Sequence, residues 1–322
     1  MSRSSEQQRE ILKTLQAQQK RLDKLAEQVY KSSAQVVEGD RYTKLRRRTK
    51  EMQGDIRSIL RALYLDVDEL PYPQRLTARR FRMSSQNDED GLTLALITEA
   101  GLSARRFVEI GCGKNGGNSG FLAQECGWSG LMIDAHEIRV DYVQRHFGAA
   151  VTARQQWVTR ENVGTLLAEP GFDHDIDLLS IDIDGNDYWV WEALDAITPG
   201  LVIIEFNAMF GPDRAVVVPY DRDFDRHGLA EEHPGWGNYY YGASLRAVTH
   251  LANRKGYRLV AVEPRGVNVY FLRRDLAPSI PAVEPADAYR IPPGYNRFAS
   301  RRDEGFLAFL DRVNLPLVEI EP

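Results

Sequence analysis

FVEIGCGKNGGNSGFLAQECGWSGLMIDAHE, residues 107–137, is the stretch whose reading sets the fold of this chain. Phe107, Val108 and Ile110 form a short apolar run that predicts a buried strand. Gly111, Gly113, Gly116 and Gly117 break it into a turn, and Phe121, Leu122 and Ala123 carry on as a helix. A second apolar run, Leu131-Met132-Ile133, ends in Asp134. Strand, glycine turn, helix and strand closed by a carboxylate is the unit with which an α/β domain holds a nucleotide-like cofactor. Glycines let backbone approach a ligand where a Cβ would clash. The helix start offers free N–H groups, and Asp134 stands where a carboxylate accepts both ribose hydroxyls.

Two cofactors fit this unit. Gly111-x-Gly113-x-x-Gly116 spells the dinucleotide fingerprint with Asp134 the usual distance on, so an NAD-dependent oxidoreductase is one reading. Glu109, at the strand end in Val-Glu-Ile-Gly-Cys-Gly, points the other way. A carboxylate there suits a cofactor with a cationic amino-acid end and has no task beside a pyrophosphate. With Glu109 in place, the stretch resembles the first motif of S-adenosylmethionine-dependent methyltransferases. A glycine turn with no ligand would need the glycines, Glu109 and Asp134 to coincide without purpose.

Composition narrows the class. The chain has 322 residues, 43% hydrophobic, with no apolar run near the ~20 residues of a membrane span. That length accommodates one sizeable α/β domain with additions. MSRSSEQQRE at the N-terminus lacks the hydrophobic segment of a signal peptide. Cys112 and Cys126 suggest neither a disulfide framework nor a CxxC metal site. A cytoplasmic protein is the expectation. The net charge of -5 is uneven: residues 1–66 hold 15 Lys and Arg against 9 Asp and Glu, a surplus of 6 that leaves -11 for the remainder. An acidic body argues against nucleic acid as a partner.

Residues 5–38 contain neither Pro nor Gly and are rich in helix formers. Leu15, Leu22, Val29 and Val36 recur every seven residues, with Ile11 and Leu25 on the same side. After Gly39-Asp40 the spacing restarts at Leu45, Met52 and Ile59, with Ile56 and Leu63 beside them. Such spacing is a coiled-coil seam, here interrupted by Gln18 and Ser32. Residues 1–66 are therefore expected as a helical oligomerisation segment that makes a homo-oligomer; a hairpin folded on its own body is the alternative. Leu70-Pro71-Tyr72-Pro73 is a stop and linker. Residues 67–275 are expected as the cofactor-binding domain, and 276–322 as a Pro-rich tail with a short helix near 303–313.

Within that domain, a polar run at 85–91 leads into the helix LTLALITEAG, ended by Gly101. A helix is expected over 137–147 and a third strand near 149–158. Residues 177–184 and 201–207 read as buried strands that deliver Asp182, Asp184, Glu205 and Asn207 to the carboxyl edge of a parallel sheet, where such folds bind ligands. Residues 208–242, too aromatic for disorder, read as a lid and substrate-binding loop. A helix at 244–256 and an antiparallel pair at 257–262 and 267–272 close the sheet.

Ser85-Gln86…Glu89-Asp90-Gly91, Phe-Val-Glu-Ile-Gly at 107–111 and Ser180-Ile-Asp-Ile-Asp-Gly-Asn-Asp-Tyr-Trp at 180–189 resemble FkbM-type methyltransferases. Ile204-Glu205-Phe206-Asn207, Tyr241-Gly242-Ala243-Ser244-Leu245 and Gly256-Tyr257-Arg258-Leu259-Val260 fit the same pattern. The resemblance covers residues 84–275. It implies a Rossmann-like methyltransferase sheet, mostly parallel with an antiparallel last strand, behind an N-terminal helical extension. It also implies O-methylation of sugars in glycans, glycolipids or glycosylated natural products. By the same carry-over Glu109, Gly111 and Gly113 line the methionine side of the cofactor and Asp134 holds the ribose. Asn115, Gly117 and Gln86 are further candidate cofactor contacts. The helical N-terminus and the Pro-rich tail depart from the family.

Methyl transfer from a sulfonium is an in-line displacement in which the enzyme aligns the nucleophile and removes its proton. A sugar hydroxyl is a poor acid, so a base or metal must help. Asp184, Glu205 and Asn207 are candidate ligands for Mg²⁺, which prefers hard oxygens, with Asp182 sharing or supporting. The arrangement is similar to metal-dependent sugar and catechol O-methyltransferases. The alternative is that Asp182 and Asn186 only organise the turn. Asp182, Asp184, His227 and His233 are the candidate catalytic groups, the histidines as bases that titrate near neutrality. His136 and His174 are placed less usefully. Trp236, Tyr239, Tyr240 and Tyr241 either stack on a sugar face or pack the folded loop. Against an enzyme stands a non-catalytic assembly protein that works through its N-terminal helices.

Overall fold

The computed structural model describes residues 67–168, 172, 176–293 and 295–322, with Lys13, Lys20, Arg21, Lys24, Thr49, Met52, Gln53, Gly54 and Ile56. Apart from Met52 and Ile56, the expected coiled-coil seam lies outside the described residues, as does His174. The chain forms two compact units, Met1–Phe81 and Arg82–Pro322. In the first, a 3-10 turn (Val67–Glu69) precedes a four-residue helix (Gln74–Thr77), and Asp68 pairs with both Arg75 and Arg79.

The second unit is built on five parallel strands: β1 (Arg106–Ile110), β2 (Ser129–Asp134), β3 (Val151–Gln155), β4 (Leu178–Ile181) and β5 (Leu201–Glu205). After β6 (Val216–Val217), the chain returns to this sheet as β7 (Tyr257–Val262) and β8 (Asn268–Arg273), β8 lying antiparallel to both β5 and β7. The order is β3-β2-β1-β4-β5-β8-β7. This is the expected Rossmann-like sheet, mostly parallel with its last strand reversed. The chain crosses from β3 back to β4, next to β1, so connections leave β1 and β4 on opposite sides and a crevice opens at their carboxyl ends. Leu178, Leu179, Leu201, Val202, Ile203 and Ile204 are fully buried, as strands covered on both faces require. Each contributes roughly 1.5–3 kcal/mol relative to exposure.

Helices cover the sheet: α1 (Glu89–Ala100), α2 (Gly120–Glu125), α3 (Glu137–Phe147), α4 (Val163–Ala168) and α5 (Asp187–Ala193). They are followed by α6 (Arg226–Glu232), α7 (Leu245–Arg254) and α8 (Phe306–Val313). α1 opens with Glu89 and Asp90 and stops at Gly101, whose φ of 67° suits glycine. Ser244 caps α7 by accepting from the Ala247 N–H. Trp191 of α5 lies 5.4 Å from Phe271 and 5.9 Å from Tyr257, centroid to centroid, pinning α5 to the reversed end of the sheet.

Residues 276–322 belong to the second unit. β9 (Val318–Glu319) pairs antiparallel with β6, and the Tyr240 hydroxyl donates to the Pro316 carbonyl at 2.6 Å. Phe306 packs on Phe210 and Trp236. The segment 208–242 is correspondingly folded, with β6, α6 and two 3-10 turns, Ala208–Phe210 and Gly237–Tyr239.

Candidate active site

The glycine turn after β1 is built largely for its own packing. Gly111 sits at φ 90°, and a Cβ there would fall 1.7 Å from the Asp182 carbonyl oxygen: the chain leaving β4 crosses directly over it. A Cβ on Gly117 would lie 2.0 Å from Glu109 Oε1. Glu109 itself is fully buried and accepts from the Asn118 N–H, the Ser119 hydroxyl at 2.6 Å and the Ser180 hydroxyl at 2.9 Å. Burial pushes its pKa up to about 7, and the bonds from Ser119, Asn118 and Ser180 oppose that rise. The sequence reading put Glu109 on the cofactor; the structure makes it the brace that ties the turn to β4. Asn115 likewise donates to the Ser84 carbonyl, joining the turn to the segment before α1. Ser119, which completes the brace with Ser180, carries no signal in the sequence, and Ser180 enters there only as the first residue of the 180–189 motif.

Asp134 at the end of β2 is 4% exposed and faces a cavity of about 440 Å³ that Gly111 also lines. It accepts from the Gly113 N–H at 3.0 Å and the His136 N–H at 2.9 Å, and Arg139 stands 3.3 Å away. These contacts fix its rotamer and leave acceptor capacity on its four lone pairs. Trp157, Phe224 and His227 line the same cavity. It is a slot with an aromatic wall at one side and a carboxylate at its rim.

The ends of β4 and β5 bring together Asp182, Asp184 and Glu205. Oxygens of all three lie within 4.8 Å of one another. Glu205 Oε2 is buried without a hydrogen-bond partner. Burial raises the pKa of Glu205 well above the ordinary range, with Asp182, Asp187 and Asp184 adding to it. Asp182 is raised likewise, by burial and then by Asp187, Asp184 and Glu109. Asp184 is exposed and left-handed, φ 58°, an unfavourable conformation for a residue other than glycine. The turn that holds it there is organised by Asp187, which accepts from the Ile183 N–H at 2.8 Å and the Gly185 N–H at 2.9 Å. Asn186 instead donates to the Asp221 carbonyl. Neither Asp182 nor Asn186 is the organiser of the turn.

Asn207 is not part of this cluster's free oxygen set. Its Oδ1 accepts from the Met209 N–H and its amide donates to the Tyr239 and Tyr241 carbonyls, at 2.9, 2.7 and 2.9 Å. It caps the turn after β5 and holds the 239–241 segment. Asp182 takes its place beside Asp184 and Glu205.

The acidic cluster lines a second cavity, of about 510 Å³, with Gln86, Tyr241 and Tyr295. Gln86 is thus placed on this side and not against the glycine turn. Asp182, Asp184 and Arg226 line both cavities, so the two meet there. Arg226, on α6, pairs with Asp184, donates to the Asn238 carbonyl and stacks 4.0 Å above the Tyr241 ring. Burial works against its charge, but Tyr241, Asp184 and Glu205 outweigh that and raise its pKa. Its role was missed in the sequence, where one arginine in an Asp- and Arg-rich loop has no signature.

His233 stacks edge-on against Phe309, 5.8 Å between centroids, and lines neither cavity; the expectation of a base there is corrected. Trp236 is buried and donates to the Glu304 carbonyl, and Tyr240 is buried too, so both pack the folded loop and do not stack on a ligand. Tyr239 and Tyr241 do reach the second cavity.

No protein-family model and no curated relative match the chain. Solved structures that match the chain include proteins described as methyltransferases. A Bacillus cereus O-methyltransferase in complex with SAH is 12% identical, covers 77% of this chain and 97% of its own, and superposes with a TM-score of 0.35. An Aquifex aeolicus SAM-dependent methyltransferase gives 16% identity, 64% and 96% coverage and a TM-score of 0.33. A Galdieria sulphuraria protein described as a sarcosine dimethylglycine methyltransferase gives 13%, 53% and 62%, with a TM-score of 0.36. The chain spans 62% of the length of that protein and 55% of TnmH.

Proposed function

We propose that this chain is an S-adenosylmethionine-dependent O-methyltransferase that methylates a hydroxyl of a sugar or similar diol with the help of a divalent cation such as Mg²⁺. One observation carries the reading: a slot rimmed by Asp134 meets a second cavity at a cluster of carboxylates, one of whose oxygens is buried and unpartnered. The FkbM-type motifs support it.

The residues fit both groups. Asp134 and the Gly111 backbone would hold the ribose end of the cofactor, which supplies a methyl group on an activated sulfonium. Asp182, Asp184 and Glu205 offer the hard oxygens a divalent cation takes, and the cation would lower the pKa of a bound hydroxyl. The chain's own part is placement and proton removal. The second cavity presents the acceptor hydroxyl at the point where the two cavities meet. A hydroxyl placed there would receive the methyl group that the sulfonium supplies, and its proton would pass to Asp182 or Glu205. α6 places Arg226 at the junction, paired with Asp184.

Residues 1–66 make the protein a homo-oligomer in this reading, on the strength of their heptad spacing. Light scattering of a chain lacking them tests this, and an unchanged oligomer rejects it. The acceptor is met in the cytoplasm; no helix among the described residues is long and apolar enough to cross a membrane.

Calorimetric titration with S-adenosylmethionine, S-adenosylhomocysteine and NAD, each with and without Mg²⁺, tests the function. Binding of the first two and not NAD is expected. Binding of NAD alone overturns the reading in favour of an oxidoreductase, and binding of none favours an assembly protein. Methylation of a sugar acceptor should fall away in EDTA and return with Mg²⁺; activity unchanged by EDTA removes the metal.

A further inference from the structure

A third cavity, of about 330 Å³, lies at the β7 edge of the sheet and shares no lining residue with the other two. α7 lines it with Arg246, His250 and Asn253, β7 with Arg258, and the chain after β8 with Arg274. The surroundings are unusual for a chain whose residues beyond 66 carry a net charge of -11. Three guanidinium groups face one concavity, and none pairs with a carboxylate among the described residues. Arg246 donates to the Asp213 carbonyl and Arg274 to the Asn253 side-chain oxygen at 2.6 Å. Arg258 is buried and spends its donors on the carbonyls of Arg273, Leu276, Ala277 and Ile280, at 2.7 to 3.2 Å.

Backbone carbonyls satisfy the N–H groups without neutralising the charges, and Asp275, which is paired with Arg273, acts on Arg258 without forming an ion pair with it. The field shows in the neighbours. Beyond the effect of burial, Arg274 pushes the pKa of Arg258 down, and Arg246 and Arg254 do the same to His250. His250 Nδ1 is buried without a hydrogen-bond partner. The one carboxylate in the lining is Glu284. Arg258 is fixed and supplies charge, while Arg246 and Arg274 are exposed arms, each side chain holding one hydrogen bond.

We propose that this cavity is a binding site for a small phosphate-bearing molecule, separate from the methyl-transfer site. Guanidinium groups recognise phosphate oxygens bidentately, and two exposed ones beside a third that no ion pair neutralises favour a dianion over a neutral or cationic ligand. The pocket has room for a phosphate with a small organic group attached or for a diphosphate.

Calorimetry on the full chain tests the site, using inorganic phosphate, pyrophosphate and a nucleoside diphosphate at ~0.15 M salt. Each is titrated with and without saturating S-adenosylhomocysteine, which separates this cavity from the one beside Asp134. Saturable binding that survives the homocysteine compound is expected. Tighter binding of the nucleoside diphosphate than of pyrophosphate assigns a nucleotide; equal binding assigns the phosphate alone. R246Q/R274Q should weaken it by roughly tenfold or more, the scale of a lost charge-assisted contact, with melting temperature unchanged because Arg258 is left in place. Glu284→Gln should tighten it. No saturable binding of any of the three, or equal affinity in R246Q/R274Q, overturns the site.

Discussion

At the scale of single residues, the first two of the fingerprint's three glycines do different work. Gly111 needs both its φ of 90° and the absence of a Cβ that would strike the Asp182 carbonyl at 1.7 Å. Gly113 has φ 57° and only Asn115 Oδ1 nearby, at 3.0 Å. Gly111→Ala should therefore cost about 3 kcal/mol or more, strain and overpacking together, and Gly113→Ala about 1 kcal/mol. Urea unfolding of the two variants reads the difference; equal losses would mean the crossing over Gly111 is absent. Glu109 gives a second test. Its folded pKa of about 7 lies above the ordinary 4.5, so its contribution is fully present below pH 4.5 and is lost as pH rises toward 7. The loss amounts to about 3 kcal/mol by pH 8. Glu263, also raised to about 7 by burial, and Asp187, raised to about 6, act in the same direction. Melting temperature should fall between pH 5 and 8, and Glu109→Gln should flatten the slope. A slope unchanged in that variant would show that Glu109 is ionised throughout.

At the scale of elements, what could be read in advance followed from periodicity and what could not followed from side-chain partners. The apolar runs at 107–110, 131–133, 178–181 and 201–204 announced strands because central parallel strands are buried on both faces. The glycine at 101 announced a helix end, and the carboxylates at 182, 184 and 205 announced the ligand edge of the sheet. Asn207 stood in the same pattern as Glu205 and looked equivalent. Only the fold reveals that its amide is consumed by Tyr239, Tyr241 and Met209. His233 is a like case: a residue in a loop has no period, and although a helix near 303–313 is expected from the sequence, its packing against His233 and Trp236 is not legible there. The contrast between the ends of β5 is measurable. Asn207→Ala removes the donor to two carbonyls and the acceptor of the Met209 N–H and should cost about 2–4 kcal/mol. Glu205→Gln removes a buried carboxylate whose ionised form is opposed by burial and by Asp182. At pH 8 it should raise the melting temperature while abolishing methyl transfer and Mg²⁺ binding. If Glu205→Gln is less stable than the natural chain, Oε2 has a partner that this geometry does not contain.

At the scale of the whole molecule, the sheet order places two cavities on either side of one strand-end cluster, and that arrangement predicts how ligands act on stability. A ligand that binds only the folded chain adds RT ln(1 + [L]/Kd), about 2.7 kcal/mol at a hundred times Kd. For a unit of this size that is a rise in melting temperature of roughly 5–10 °C. S-adenosylhomocysteine should give this rise alone, because the slot beside Asp134 is already shaped by Gly113, His136 and Arg139. Mg²⁺ should add to it in the natural chain and not in Glu205→Gln, since it relieves the repulsion among Asp182, Asp184 and Glu205. The increments should exceed their simple sum if α6 couples the cavities, because Arg226 touches both and must share Asp184 with any cation placed there. Differential scanning with each ligand and with both together reads this coupling. Strict additivity would separate the two cavities energetically and leave Arg226 a packing residue.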